Sequence, residues 1–210
     1  MMIFRLGIGL FCVTALVGCL ADEKKFGYAA GYGKSYPEPV VLEMPTNAPS
    51  ITQQFRSPLA VSSLNQIEPH LGIDVHAPIG TPVLAAAGGL VERSFWGPAY
   101  GNQVQVLHAP DSSGKASRTR YVHLKRRLVE AGETLTRGQQ LGELGVTGFL
   151  SSGFPHLHFE LIYRGAALGH SSADPHLYWV KGAGKISCWG PEWQGLGDDE
   201  LRLTYPVPCS

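Results

Sequence analysis

No excess of charge of either sign marks this chain: its 210 residues carry 17 Lys plus Arg against 17 Asp plus Glu, so the formal net charge is zero. With no basic run there is no phosphate footprint, and nucleic acid is not an expected partner. A membrane-spanning run is missing as well. The apolar stretch from Leu6 to Val17 holds about a dozen residues where a span needs roughly 20. Helical periodicity is nowhere sustained, and no tandem repeat is visible. Cysteine is scarce, with four in the chain. What is abundant is turn chemistry. The 26 Gly and 15 Pro are dispersed along the sequence, which favours short strands joined by turns. With 44% hydrophobic and 16% charged residues, one globular domain with some irregular tail is expected.

The short apolar run follows a single basic residue, Arg5, and ends in small residues, the pattern of an export signal. "LVGC" at 16–19 resembles a bacterial lipobox, which predicts a signal peptide over 1–18 and a diacylglycerol on Cys19. Acyl chains contribute about 0.8 kcal/mol per buried methylene, so a lipidated Cys19 would hold the protein on a membrane. Leu20 rather than Asp after the cysteine favours the periplasmic face of the outer membrane. Export removes Cys12, and lipidation occupies Cys19. Cys188 and Cys209 are then the remaining pair, expected to form a disulfide in an oxidising periplasm.

Residues 19–50, rich in Gly, Pro, Tyr and Lys, read as a tether. The domain is expected over 51–180 and a disulfide-clipped extension over 181–210. Within the domain, "TPVLAAA", "GLVERSFWG", "NQVQVLHA", "RTRYVHLKR", "QQLGELG" and "HLHFELIYR" read as strands between turn residues. The fold class expected is all-β, twisted antiparallel sheets folded on themselves.

Histidine carries the chemistry. In "PHLHFEL" His156 and His158 share a strand face, with Leu157 and Phe159 on the other. His70 and Asp74 in "HLGID" would share a face of an extended strand, with Gly72 leaving room between them. Imidazole nitrogen plus carboxylate oxygen is a set that zinc accepts, although such a pair alone is common. His123 in "RYVHL" is expected on the face of Tyr121, with Val122 and Leu124 turned to the core. His76 reads as structural or as a donor behind the site, Glu160 as a partner on the histidine face, and Tyr100 and Asn102 as turn residues or substrate contacts. His108, His170 and His176 read as structural or exposed.

Taken in order, "HLGID", "GTPVLA", "YGNQVQVLH", "YVHL", "VEAGETLTRGQQLGELGVTG", "PHLHFEL" and "DPHLYW" resemble the lysostaphin-type, or LytM-domain, zinc metallopeptidases. The resemblance implies a barrel-sandwich-like β domain. It also implies one Zn2+ per chain on His70, Asp74 and His158, with His123 and His156 assisting proton transfer and stabilising charge. The implied activity is hydrolysis of peptide cross-links in peptidoglycan stems, with directly cross-linked stems favoured over pentaglycine bridges. A monomer is expected. The alternatives are a non-catalytic LytM-like wall-binding regulator or amidase activator, and a periplasmic zinc carrier. One departure stands out: the family commonly has glycine after the phenylalanine preceding HxxxD, whereas here Arg56 follows Phe55 directly.

Overall fold

The computed structural model describes residues 41–55, 58–61, 66–112, 114–164, 170–196 and 200–210. The expected signal peptide, Cys19 and Arg56 lie outside the described residues, as does the side chain of His170. Twelve strands run in chain order: β1 Ile51–Gln53, β2 Pro58–Val61, β3 Gln66–Pro69, β4 Ile73–Val75, β5 Pro82–Leu84, β6 Gly89–Gly97, β7 Gly101–Leu107, β8 Ser117–Arg127, β9 Thr134–Leu135, β10 Gln140–Leu144, β11 Leu157–Arg164 and β12 His170–Ala173. The helical elements among the described residues are three single 3-10 turns, at Phe149–Ser151, Pro175–Leu177 and Pro191–Trp193.

Ten strands form one antiparallel sheet in the order β1-β4-β11-β8-β7-β6-β9, with β12 beside β11, β10 beside β8, and β5 beside β10. The architecture is all-β as expected. The sheet stays open, because its end strands β1 and β9 do not pair with each other. A separate two-stranded ribbon, β2 with β3, delivers the chain to His70.

Alternation explains the layering. Along β11, Leu157, Phe159 and Leu161 join the core, while His158 and Glu160 face the opposite side. The same core face receives Ile73 and Val75 from β4, Tyr121 and Leu124 from β8, and Val104 and Val106 from β7. Side chains of this size contribute about 1.5–3 kcal/mol each on full burial. The Tyr121 hydroxyl is satisfied there by the Ala86 amide and the Thr119 hydroxyl.

The described parts of both outer segments pack on this core. Leu42 and Ala48 pack against it, and Glu43 bonds through its backbone to Gly184 and Ile186. At the other end Ile186, Leu203, Tyr205 and Val207 are core residues, with Tyr205 edge-on to Trp179 at 6.0 Å. The Cys188–Cys209 disulfide closes this segment. Residues 41–48 and 186–207 thus add side chains to the core built by 51–180.

Candidate metal centre

Two strands and one strand end supply three convergent donors. Asp74 on β4 sits directly opposite His158 on β11, and directly opposed residues of an antiparallel pair share a face. His70 follows β3 immediately, and the two-residue link to β4 passes so close to β11 that a Cβ on Gly72 would lie 2.3 Å from the Phe159 carbonyl oxygen. Glycine is required there by backbone approach, not to leave room between His70 and Asp74, and the HxxxD stretch is a strand end, a link and a short strand instead of one continuous strand. His158 Nδ1 lies 2.8 Å from Asp74 Oδ1 and 2.9 Å from His70 Nε2. His70 Nε2 lies 3.2 Å from the same carboxylate oxygen. All three residues are buried.

Neighbouring groups fix which atoms face inward. His70 Nδ1 donates to the Gln54 backbone carbonyl at 2.9 Å, so its lone pair is on Nε2, towards the cluster. His158 Nε2 donates to Glu160 Oε1 at 2.9 Å, which directs Nδ1 inward. Glu160 is held in turn by Arg120 at 3.2 Å. Arg120 also donates to Gln103 Oε1 and lies 4.3 Å from the centre of the Tyr100 ring. Behind His70 the chain continues: His176 Nε2 donates to Gln54 Oε1, and Trp179 Nε1 donates to His176 Nδ1.

The electrostatics follow from this packing. Burial would push the His158 imidazole down, but its bonds to Asp74 and Glu160 outweigh that and raise it to about 9. Burial pushes the Asp74 carboxyl up, yet its bonds to His158 and His70 hold it well below the usual carboxylate range. Two imidazole nitrogens and an ionised carboxylate oxygen at one point are a donor set that suits a divalent cation of zinc type. Their separations of 2.8–3.2 Å fall slightly short of the edge of about 3.4 Å for a tetrahedron with bonds near 2.1 Å. The residues present therefore fit a zinc ion with a small opening of the triangle.

His123 and His156 stand beside the cluster. The register between β7 and β8 slips, with Asn102 opposite Leu124 and Val104 opposite Tyr121, so β8 carries an extra residue. His123 takes the positive φ of 63° at this bulge. The expected alternation fails for that reason: Tyr121 faces the core against Phe159, and Val122 lies opposite His158 on the outer face. The His123 ring turns to the outer face and lies 4.8 Å from that of His156. Its Nδ1 donates to the Thr147 carbonyl at 2.8 Å, and His156 Nδ1 donates to the Phe154 carbonyl at 2.8 Å. Both rings thus keep Nε2 as the available acceptor, and His156 Nε2 lies 3.9 Å from Asp74 Oδ1. Burial pushes His123 down to about 4, which leaves it neutral around pH 7.

Other candidates have ordinary tasks. His76 donates to the Pro155 carbonyl and stacks on Phe154, holding the segment that carries His156. His108 spans the Gly88 carbonyl and the Thr119 hydroxyl inside the domain. Asn102 bonds the Leu124 and Lys125 carbonyls beside the bulge, while Tyr100 forms a wall of the site. Gln54, Arg120 and Thr147 carry no signal in the sequence motifs, since their contacts come from strand pairing and loop closure.

A model of peptidase family M23 matches residues 68–175, just over half of the chain. The chain belongs to this family of metallopeptidases. Within the M23 segment lie His70, Asp74, His123, His156 and His158, whereas Gln54 and His176 fall outside it. The peptidoglycan DD-endopeptidase ShyC of Vibrio cholerae is 37% identical over 146 residues, covering 70% of this chain and 32% of that protein. The chain thus spans about a third of the length of that relative. Among solved structures, a zinc-containing peptidase from Vibrio cholerae matches with 31% identity and a TM-score of 0.50, over 60% of this chain and 38% of the other. The solution structure of lysostaphin matches with 28% identity and a TM-score of 0.51, over 68% and 54% of the two chains.

Proposed function

We propose that this M23 chain is a zinc-dependent endopeptidase that hydrolyses peptide cross-links of bacterial peptidoglycan. The observation that carries the reading is the triangle of His70, Asp74 and His158 flanked by two histidines whose Nε2 atoms remain available. His70, Asp74 and His158 would hold a zinc ion, which would supply the Lewis acidity that activates a water and polarises the scissile carbonyl. His123, neutral near pH 7, accepts a proton at Nε2 and returns it to the leaving amine. His156 directs Nε2 to the same space, beside the oxygen on which negative charge develops. Glu160 and Gln54 keep the two ligating imidazoles in one orientation.

The substrate class is supported by the name of ShyC, a peptidoglycan DD-endopeptidase, which favours direct cross-links between stems. The "LVGC" segment after an apolar run supports export with Cys19 lipidated, and Leu20 after it supports the periplasmic face of the outer membrane. Digestion of purified sacculi tests the activity. Wild-type chain loaded with zinc should release uncrosslinked stems, and His123→Ala should lower kcat by about 10²–10⁴-fold with zinc content unchanged. Undiminished release by His123→Ala counts against the assignment. A chain that binds less than half an equivalent of zinc and cuts nothing would point to a regulator instead.

A further inference from the structure

Beyond Glu160 the outer face of the sheet forms a groove of about 780 Å³, with Tyr100 and Glu160 at the end nearest the histidine cluster. Its floor is one row of directly paired residues: Glu160 on β11 opposite Arg120 on β8, Arg120 opposite Gln105 on β7, and Gln105 opposite Arg93 on β6. Three strand spacings of about 4.8 Å place Arg93 roughly 14 Å from Glu160, the reach of about four extended residues. A register slip between Val91 and Arg93 turns Glu92 and Arg93 both towards the groove.

The charges along this row do not balance. Arg120 pairs with Glu160, and Arg118 pairs with Glu92. Arg93 is exposed and pairs with no carboxylate among the described residues, its guanidinium lying 4.0 Å from the centre of the Phe95 ring. Behind it, Arg118 is buried, and its Nη1 has no hydrogen-bond partner among the described residues. An unsatisfied buried donor is costly, and a bound anion that reaches it relieves that cost. The chain as a whole is neutral, so this positive end is not the by-product of a basic surface. A guanidinium placed over an aromatic ring keeps its planar fork of donors for a two-oxygen acceptor.

We propose that the groove is a subsite for a free carboxylate on the peptide stem, with Arg93 as the residue that selects it and Arg118 reinforcing the positive end. The inference rests on the peptidoglycan reading and deepens it: stems whose non-scissile carboxylates are free are preferred over stems in which they are amidated. Two synthetic cross-linked stem peptides, identical except for that amidation, provide the test. Binding is measured by calorimetry to the full-length zinc-loaded His123→Ala chain, and cleavage by the wild type.

The acid peptide should bind about tenfold more tightly and be cut with a kcat/KM higher by a similar factor, mostly through KM. Arg93→Gln, an exposed change that spares the fold, should erase most of the difference while zinc content stays the same. Equal binding of acid and amide, or a preference retained in Arg93→Gln, overturns the subsite. Tighter binding of the acid peptide without cleavage of either upholds the subsite and removes the hydrolase reading. Equal cleavage of both does the reverse.

Discussion

Replacing Glu160 with glutamine tests the support behind the proposed metal centre through two opposing effects. Glu160 holds the Nε2 proton of His158 and so makes Nδ1 a better ligand; loss of such a partner typically lowers metal affinity 10–100-fold. The same carboxylate, together with Asp74, keeps the metal-free imidazole protonated up to about 9, and a ligand must lose its proton to bind. Raised to about 9, His158 is mostly protonated at pH 7, so proton competition weakens zinc binding there. Glu160→Gln moves His158 back towards the ordinary imidazole value of 6.5 and removes much of that competition. The two effects oppose each other at pH 7. Above pH 9, where His158 is deprotonated in either protein, the full 10–100-fold deficit emerges. Competition against a chromophoric chelator in zinc-buffered solutions at pH 7 and pH 9.5 reads this directly. An identical deficit at both values, or none at pH 9.5, would refute the role assigned to Glu160.

Three other perturbations follow from the geometry. Gly72→Ala places a methyl group 2.3 Å from the Phe159 carbonyl oxygen and must separate β4 from β11; unfolding curves should show a loss of more than about 2 kcal/mol and dialysis should show lost zinc, whereas normal stability contradicts the close approach. Cys209→Ser opens a loop of sequence separation 21 and should cost about 3 kcal/mol, read as the gap between oxidised and mutant denaturation midpoints. An unchanged midpoint would mean the bond contributes nothing. Asp174 is pushed up to about 6 by burial, against the lowering effect of its bond from the His176 amide. A raised carboxyl contributes stability that is present below its unfolded value and lost as pH rises through about 6. Asp174→Asn keeps an acceptor for the amide without the buried charge. It should raise Tm at pH 8, by up to about 3 kcal/mol in stability, and change it little at pH 4. A lower Tm at pH 8 contradicts this.

Much of the framework is legible in the sequence because period-two alternation survives where strands are regular. "GLVERSFWG" and "HLHFELIYR" coincide with β6 and nearly with β11, and the shared face of His156 and His158 follows from spacing alone. Alternation misleads just before His123, because one inserted residue at the β7–β8 bulge reverses the expected faces of Tyr121 and Val122 and leaves no mark in composition. The segment "LRLTYPV" does alternate, with Leu203, Tyr205 and Val207 in the core; its position after apparent loop sequence hides that. Gln54 and Arg120 act through partners far along the chain, and such contacts exist only once strands have paired.

The hydrogen-bonded line from Trp179 through His176 and Gln54 to His70 joins the beginning of the domain to a stretch more than a hundred residues later. Contacts of that separation form late, since loop closure must precede them. In a chain emerging from its N-terminus, the imidazole that opens the metal triangle stays without its outer brace until the sequence beyond β12 has arrived. On the proposed zinc reading, firm metal binding is thereby tied to the stretch that carries His176 and Trp179, and a product that ends before it carries His70, Asp74 and His158 without the brace that holds His70 in place.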